Sequence, residues 1–408
     1  MTRFLHKIVL MTLVATVFCN IFSINVGAIK KEDIDSAEKI ICVVHRGDWH
    51  SFPENSAEAV KAGGEYGFVS VDIRLTRDGK AVLMADETTD RMVVDANGKT
   101  VSANVSDKSL AELKAFYLRA ENGSEDKPKT DCRVAGLEDA LAQVSEESVL
   151  ILNTTCADFE TVYAEVKTLK AEDKVIFRFN SDSNSDIIKA TSGRNDITAF
   201  GNYQGNIIFM ATSAVDNTIK NGMNIIELGS ANENGVLYDD FLMDRFDSQG
   251  KAMASMVNGR SGERPDNERG WDNLISKGYS VIETDYPEQF SQYAAQVERE
   301  KESLNYYIDL YKSTDLQPYT TDTENAFASA LSTAETVSAQ PSSLSELQNA
   351  RFALQSAYDN LTLGEKKAVT LKFEFTIGRL IALVLCGGAI IAAQIFFFKK
   401  RDKSKKAQ

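Results

Sequence analysis

Between Ile41 and Asp86 the chain alternates apolar strands with polar turns and one helix, and each strand ends on polar side chains. The first, Ile41 to Val44, delivers His45, Arg46 and Gly47. Pro53, Glu54 and Asn55 then form a turn that caps a helix from Ser56 to about Tyr66. A second strand carries Asp72, and a third delivers Ala85 and Asp86 after a turn at Asp78-Gly79. Strands apolar along their length and polar at their C-terminal ends suit a (β/α) barrel, whose interior is packed and whose site lies at the strand ends.

The alternation continues to about residue 300. Strand patterns fall at 41–45, 68–73, 81–85, 148–153, 174–179, 207–211, 224–228, 252–257 and 280–284; helical ones include 56–66, 109–117, 137–145, 157–170, 265–277 and 288–300. Repeating βα units over about 260 residues predict an α/β fold, a (β/α)8 TIM-type barrel over 39–298. Nine strand patterns for eight places put one of them outside the barrel. Between the second and third there is no room for a helix, so the chain returns there in extended form.

Beyond residue 300 the β-branched runs stop, and three helical stripes replace them. Leu304, Tyr307, Ile308 and Tyr311 form the first; Phe327, Leu331, Ala334 and Val337 the second; Leu344, Leu347, Phe352, Leu354 and Tyr358 the third. Pro318 and Pro341 fall at the joints, where proline is tolerated. Residues 302–364 thus read as a small three-helix bundle. Its YTTDTENAFASALSTA segment resembles the helical modules, often called FIVAR, of Gram-positive surface proteins, for which carbohydrate binding is sometimes proposed; the expectation here is a plain spacer between barrel and membrane.

The two ends read as membrane segments. Arg3 and Lys7 precede an apolar run and a small-residue stretch at Val26-Gly27-Ala28, the pattern of a signal peptide over 1–28. Residues 378–398 are long and apolar enough to span a bilayer as a transmembrane helix. The basic tail at 399–408 then marks the cytoplasmic side, which puts the domains before it outside the cell. Removing the +2 of the leader and the +5 of the tail from the chain's −14 leaves −21 on the rest. Such a charge excludes a nucleic-acid partner held by long-range attraction.

Cys42, Cys132 and Cys156 lie outside the two apolar ends, too few for a disulfide framework and without zinc spacing. Histidines occur only at 6, 45 and 50, so acid–base chemistry by histidine must come from the opening stretch.

HRGDW, PENS, VDIRLTRDGKAVLMADETTDR and VIETDYPEQF, in that order over roughly residues 41 to 295, resemble the glycerophosphodiester phosphodiesterase family. The resemblance implies a TIM-barrel phosphoric diester hydrolase of lipid metabolism. It implies a divalent cation, calcium or magnesium, held by carboxylates, two of them two residues apart on the second strand and so on one face. Two histidines move protons, and the arginine after the first one binds phosphate. Carried over residue by residue, His45 and Arg46 take catalytic places, Glu54, Asn55 and Asp86 bind substrate, and Asp72 is a metal ligand.

The sequence departs from that pattern at four positions. Ser70 stands where the first carboxylate of the pair belongs, Ala85 where the second histidine belongs, and Asn153 and Thr155 where a glutamate and a lysine belong. Serine and asparagine supply only neutral oxygen, whereas hard cations need charge to offset dehydration. Alanine carries no proton, and general acid–base catalysis is typically worth about 10²–10⁴-fold.

The expectation is a catalytically impaired, membrane-anchored extracellular protein that retains phosphate or anion binding and needs no cofactor. Its partner would be a phosphodiester, another anionic small molecule or an envelope polymer. The alternative is an active hydrolase of glycerophosphodiesters or envelope glycerophosphate polymers. That site would be rebuilt around His50, with a divalent cation on substitute carboxylates from Asp86, Asp48 and Glu54. A third reading makes the helical module the functional part. Arg178, ending the fifth strand pattern, points toward the mouth for anion binding or a salt bridge, while Trp49 and Trp271 read as packing aromatics.

Overall fold

The computed structural model describes residues 40–364 apart from 146–147, 181–183, 195, 205–207, 221–225, 230–241 and 243–265. The leader at 1–28, the span at 378–398, the tail at 399–408 and the strand pattern at 252–257 lie outside the described residues. Among those described, no helix is long and apolar enough to cross a membrane. The chain divides into two units, residues 1–313 with 326–359, and residues 314–325 with 360–408. In the second unit Tyr319 and Leu363 form an isolated antiparallel bridge, and the Thr320 amide donates to the Thr362 carbonyl at 2.8 Å.

The first unit is built on β1 (Ile41–His45), β2 (Phe68–Leu75) and β3 (Ala81–Leu83), then β4 (Val93–Val94), β5 (Tyr117–Arg119) and β6 (Lys129–Arg133). It continues with β7 (Leu150–Thr154), β8 (Val175–Asn180), β9 (Thr198–Gln204), β10 (Glu227–Gly229) and β11 (Val281–Thr284). Seven strands run parallel in the order β10-β9-β8-β7-β2-β1-β11. β1 is buried at all five positions, as a strand covered on both faces must be.

The sheet is curled into a barrel-like arc. Arg178 of β8 reaches Glu283 of β11 at 2.9 Å although the two strands are four places apart. In a flat sheet that separation is about 19 Å, at about 4.8 Å per strand. Inward residues follow the two-residue period: Ile41, Val43, Phe68, Val149, Ile151, Ile176, Phe200 and Val281 form one buried apolar cluster at the base of the arc. Such layers fill a barrel's interior rather than leaving a pore.

Two strand patterns resolve differently from their sequence reading. The 81–85 pattern is β3, antiparallel on the outer end of β2 with Ile73 opposite Leu83, so it is a return strand and not a barrel strand. The 207–211 pattern falls largely in a helix, Ile208–Lys220, whose buried Ala211, Val215 and Thr218 recur at helical spacing. The barrel strand is instead the preceding β9, where Gly201, Asn202 and Gln204 dilute the apolar signal.

Between β3 and β7 a second, antiparallel sheet, β4-β5-β6, covers a core of Val82, Met84, Met92, Val93, Val105, Leu113, Leu118 and Val134. The acidic segment 121–131 enters this sheet at Lys129. β6 has no fully buried position, so burial periodicity left no mark there.

The helices start where side chains satisfy the free amides of a first turn. Ser56 caps Ala57–Gly63 by accepting from the Ala59 amide, and Ser109 with Glu112 forms a capping box on Leu110–Lys114. Helix Pro287–Tyr311 runs without a break across residue 302. It buries Phe290, Tyr293 and Val297 in its first half and Leu304 and Ile308 in its second. Helices Thr321–Ala339 and Leu344–Asp359 follow. On the third stripe Leu347 and Leu354 are buried, but Phe352 is 57% exposed and Ala350 takes the inward place.

Candidate active site

The C-terminal ends of β1, β2, β7 and β11 converge above the apolar cluster. The next inward layer is polar: Ser70 on β2, Arg178 on β8, Glu227 on β10 and Glu283 on β11, all buried. The layer at the mouth comprises His45, Asp72, Asn153 and Asp285. The parallel register sets these strand ends side by side, with Val43 paired to Glu283, His45 to Ser70, and Asp72 to Asn153.

At the mouth Nδ1 of His45 lies 2.8 Å from Oδ1 of Asp285, which also accepts the Trp49 indole N–H at 2.9 Å. Burial favours the neutral imidazole, but the Glu283 charge and the Asp285 hydrogen bond outweigh it, so His45 holds its proton above the ordinary 6.5. Asp285 moves the other way: burial raises its pKa, yet the His45 hydrogen bond and charge bring it below the usual 3.8. Asp266 fixes this aspartate from behind, accepting the Asp285 amide and the Thr284 hydroxyl, each at 2.7 Å.

Arg46 is turned inward by a left-handed backbone (φ 60°), followed by Gly47 (φ 77°). A Cβ on Gly47 would lie 2.4 Å from the Ala59 carbonyl carbon, so only glycine permits this turn. The Arg46 Nε sits 2.7 Å from Oδ2 of Asp72, and its Nη1 donates to Glu54 at 2.7 Å. Asn55, also left-handed (φ 56°), accepts the Asp72 amide at 2.9 Å and donates to the Asp72 carboxylate at 3.2 Å. Asn153 donates to the other carboxylate oxygen at 2.7 Å. Burial raises the Asp72 pKa, but Arg46, His45 and the two amides bring it below 3.8.

Of the residues expected at the site, His45, Arg46, Glu54, Asn55 and Asp72 come together. Asp86 stands to one side, held at 2.6 Å by Arg91, whose other arm reaches Glu54 at 2.6 Å. Ala85 presents its carbonyl to the Arg74 guanidinium at 2.8 Å. Thr155 begins the turn into helix Phe159–Leu169, its hydroxyl donating to Asp158 at 3.0 Å. His50 is exposed, its ring 3.8 Å from that of Trp49 and 5.0 Å from that of Tyr286. Arg178 does not reach for an anion at the mouth. Its Nε and Nη2 sit 2.6 and 2.7 Å from Glu227, and its Nη1 donates to Glu283 at 2.9 Å. Two buried carboxylates hold it below the mouth.

Asp285, Glu283, Glu227 and Arg91 were given no role from sequence. Asp285 and Glu283 lie within VIETDYPEQF, where acidic side chains at every second position on a buried strand are the signal that could have found them.

The donor set does not fit a divalent cation. Both Asp72 oxygens are engaged by Arg46, Asn55 and Asn153; Glu54 is shared between two arginines; Glu283 faces Ser70 and Arg178. Among the described residues no three His, Cys, Asp or Glu side chains are grouped so as to hold a metal ion. What remains at the mouth is an imidazole poised to carry a proton and an arginine with unused donors.

Residues 45–204 match the model of the Glycerophosphoryl diester phosphodiesterase family, which supports the resemblance carried by HRGDW and PENS over that span. The uncharacterized protein YqiK of Bacillus subtilis (strain 168) is 32% identical over 149 residues, 34% of this chain and 58% of that protein. A glycerophosphodiester phosphodiesterase of Caldanaerobacter subterraneus is 29% identical over 157 residues, 37% of this chain and 63% of that enzyme. The chain thus spans less than two thirds of the length of either relative. A crystal structure of a glycerophosphoryl diester phosphodiesterase from Parabacteroides distasonis has the same fold. It has a TM-score of 0.50 and 20% identity, and the match covers 63% of this chain and 86% of that one.

Proposed function

We propose that this chain is a degenerate member of the glycerophosphodiester phosphodiesterase family that binds a phosphodiester or similar anion at the barrel mouth and hydrolyses it weakly or not at all. The observation that carries the reading is the state of Asp72, whose two oxygens are both engaged by side chains of the chain itself. A lone carboxylate already neutralised by Arg46 is a poor anchor for a hard cation, which needs several charged oxygens to offset dehydration. Ala85 stands where the family resemblance calls for the second proton carrier of an in-line displacement, and alanine carries no proton.

The same geometry supports binding. His45 lies with Nδ1 2.8 Å from Asp285 at the end of β1, and Glu283 and Asp285 favour its protonated, donor form against the cost of burial. Arg46 beside it has donors left after Glu54 and Asp72 are met. A diester carries one negative charge, which suits this mouth better than a dianion, given the carboxylates around it. Membrane anchoring through residues 378–398, with the barrel outside the cell and the helical module as spacer, completes the proposal.

The test incubates the full-length chain with glycerophosphocholine and calcium or magnesium, and follows choline release beside calorimetry of ligand binding. Binding without turnover, lost in His45→Ala, is expected. Turnover by the natural sequence that disappears in His45→Ala would overturn the reading and favour an active hydrolase.

A further inference from the structure

Two carboxylates and one guanidinium share the buried layer beneath His45, a place where uncompensated charge is costly. Arg178 contacts Glu227 at 2.6 and 2.7 Å and Glu283 at 2.9 Å, and Ser70 donates to the same Glu283 oxygen at 2.6 Å. Glu227 and Glu283 are essentially fully buried, and Oε2 of Glu283 has no hydrogen-bond partner. Burial works against a charged Arg178, but the two glutamates hold it firmly protonated. We propose that Arg178 is a built-in cation occupying the electrostatic place of a divalent metal. The mouth is then complete without metal and cannot acquire one while Arg178 remains.

The reasoning is positional. Ser70 lies two residues before Asp72 on β2, so both face the interior, and Ser70 shares its acceptor with the Arg178 guanidinium. A carboxylate placed at position 70 would meet that guanidinium before any hydrated cation, and arginine cannot give up its charge to make room. Changing Ser70 and Asn153 back to acids is therefore insufficient to create a cation site. The inference concerns the same mouth as the proposed anion binding but depends on the buried layer alone, so its experiment contains no phosphate ligand.

Three full-length proteins are compared by calorimetry and by melting with calcium chloride, magnesium chloride or EDTA: the natural chain, Ser70→Glu/Asn153→Glu, and that pair with Arg178→Met. The first two are expected to bind neither cation at millimolar concentration and to melt alike in calcium and EDTA. The third is expected to gain a calcium-dependent rise of several degrees. Cation binding tighter than about 1 mM by either protein that keeps Arg178, abolished by Asp72→Asn, overturns the proposal. A folded third protein indifferent to calcium also overturns it. Where the third protein does not fold, Ser70→Glu/Asn153→Glu with Arg178→Gln takes its place, and a folded form indifferent to calcium overturns the proposal in the same way.

Discussion

His45 and Asp285 sit 240 positions apart in sequence and 2.8 Å apart in space. Their shifts are opposite, and each has a pH consequence. The His45 pKa is raised, so the stability it contributes is complete below the unfolded value of 6.5 and is lost as pH rises through the folded one. Asp285 and Asp72 are lowered, so their contribution is present above 3.8 and is lost as pH falls through their folded values. Stability from this cluster should therefore be greatest between the ordinary 3.8 of the aspartates and the ordinary 6.5 of the histidine. Asp285→Asn should move the His45 titration downward, read from its imidazole proton by NMR, where only two other histidines compete. An unchanged titration would remove Asp285 as a cause and leave the Glu283 charge.

The decisive element is the turn from Arg46 to Asn55. Three left-handed residues, Arg46, Gly47 and Asn55, fold it so that the Arg46 carbonyl accepts the Asn55 amide at 3.0 Å and both side chains converge on Asp72. Gly47→Ala is expected to destabilise by about 1–2 kcal/mol from backbone conformation alone, with the clash against Ala59 added, as measured by urea unfolding. Among the later helices, Leu354 is fully buried and Phe352 is not. Leu354→Ala should cost about 2–5 kcal/mol and Phe352→Ser within about 0.5 kcal/mol. Equal losses would mean that Leu344–Asp359 packs on a different face.

At the scale of the whole molecule, residues 1–313 with 326–359 form one unit that contains both the arc of strands and most of the later helices. Within that unit Asp272, near the barrel's last strand, accepts the Tyr293 hydroxyl at 3.0 Å and the Ser345 amide at 3.1 Å. The helices therefore join the barrel through specific polar contacts as well as through helix Pro287–Tyr311. The orientation read from the basic tail is testable on intact cells. Added protease should degrade an epitope in the barrel and spare one placed after Lys406. The opposite pattern would reverse the orientation.

The βα alternation, the polar strand ends and the four departures at Ser70, Ala85, Asn153 and Thr155 were legible in the chain, because they are local patterns with fixed periods. So were His45, Arg46, Glu54, Asn55 and Asp72 as neighbours, since one strand-turn-helix-strand unit holds them together. β9 was not legible, because its glycine and amides mask the strand period, and an adjacent apolar run that begins a helix imitated it. Nor were the partners that set the charge at the mouth. Asp285 holds His45, Arg91 reaches Glu54 from the antiparallel insert, and Glu227 with Glu283 withdraws Arg178 from the mouth. Residue types and their order determined the βα alternation and which side chains gather at the ends of β1 and β2. Only the curling of the sheet, which brings side chains of strands four places apart within 3 Å, decided which charges neutralise one another.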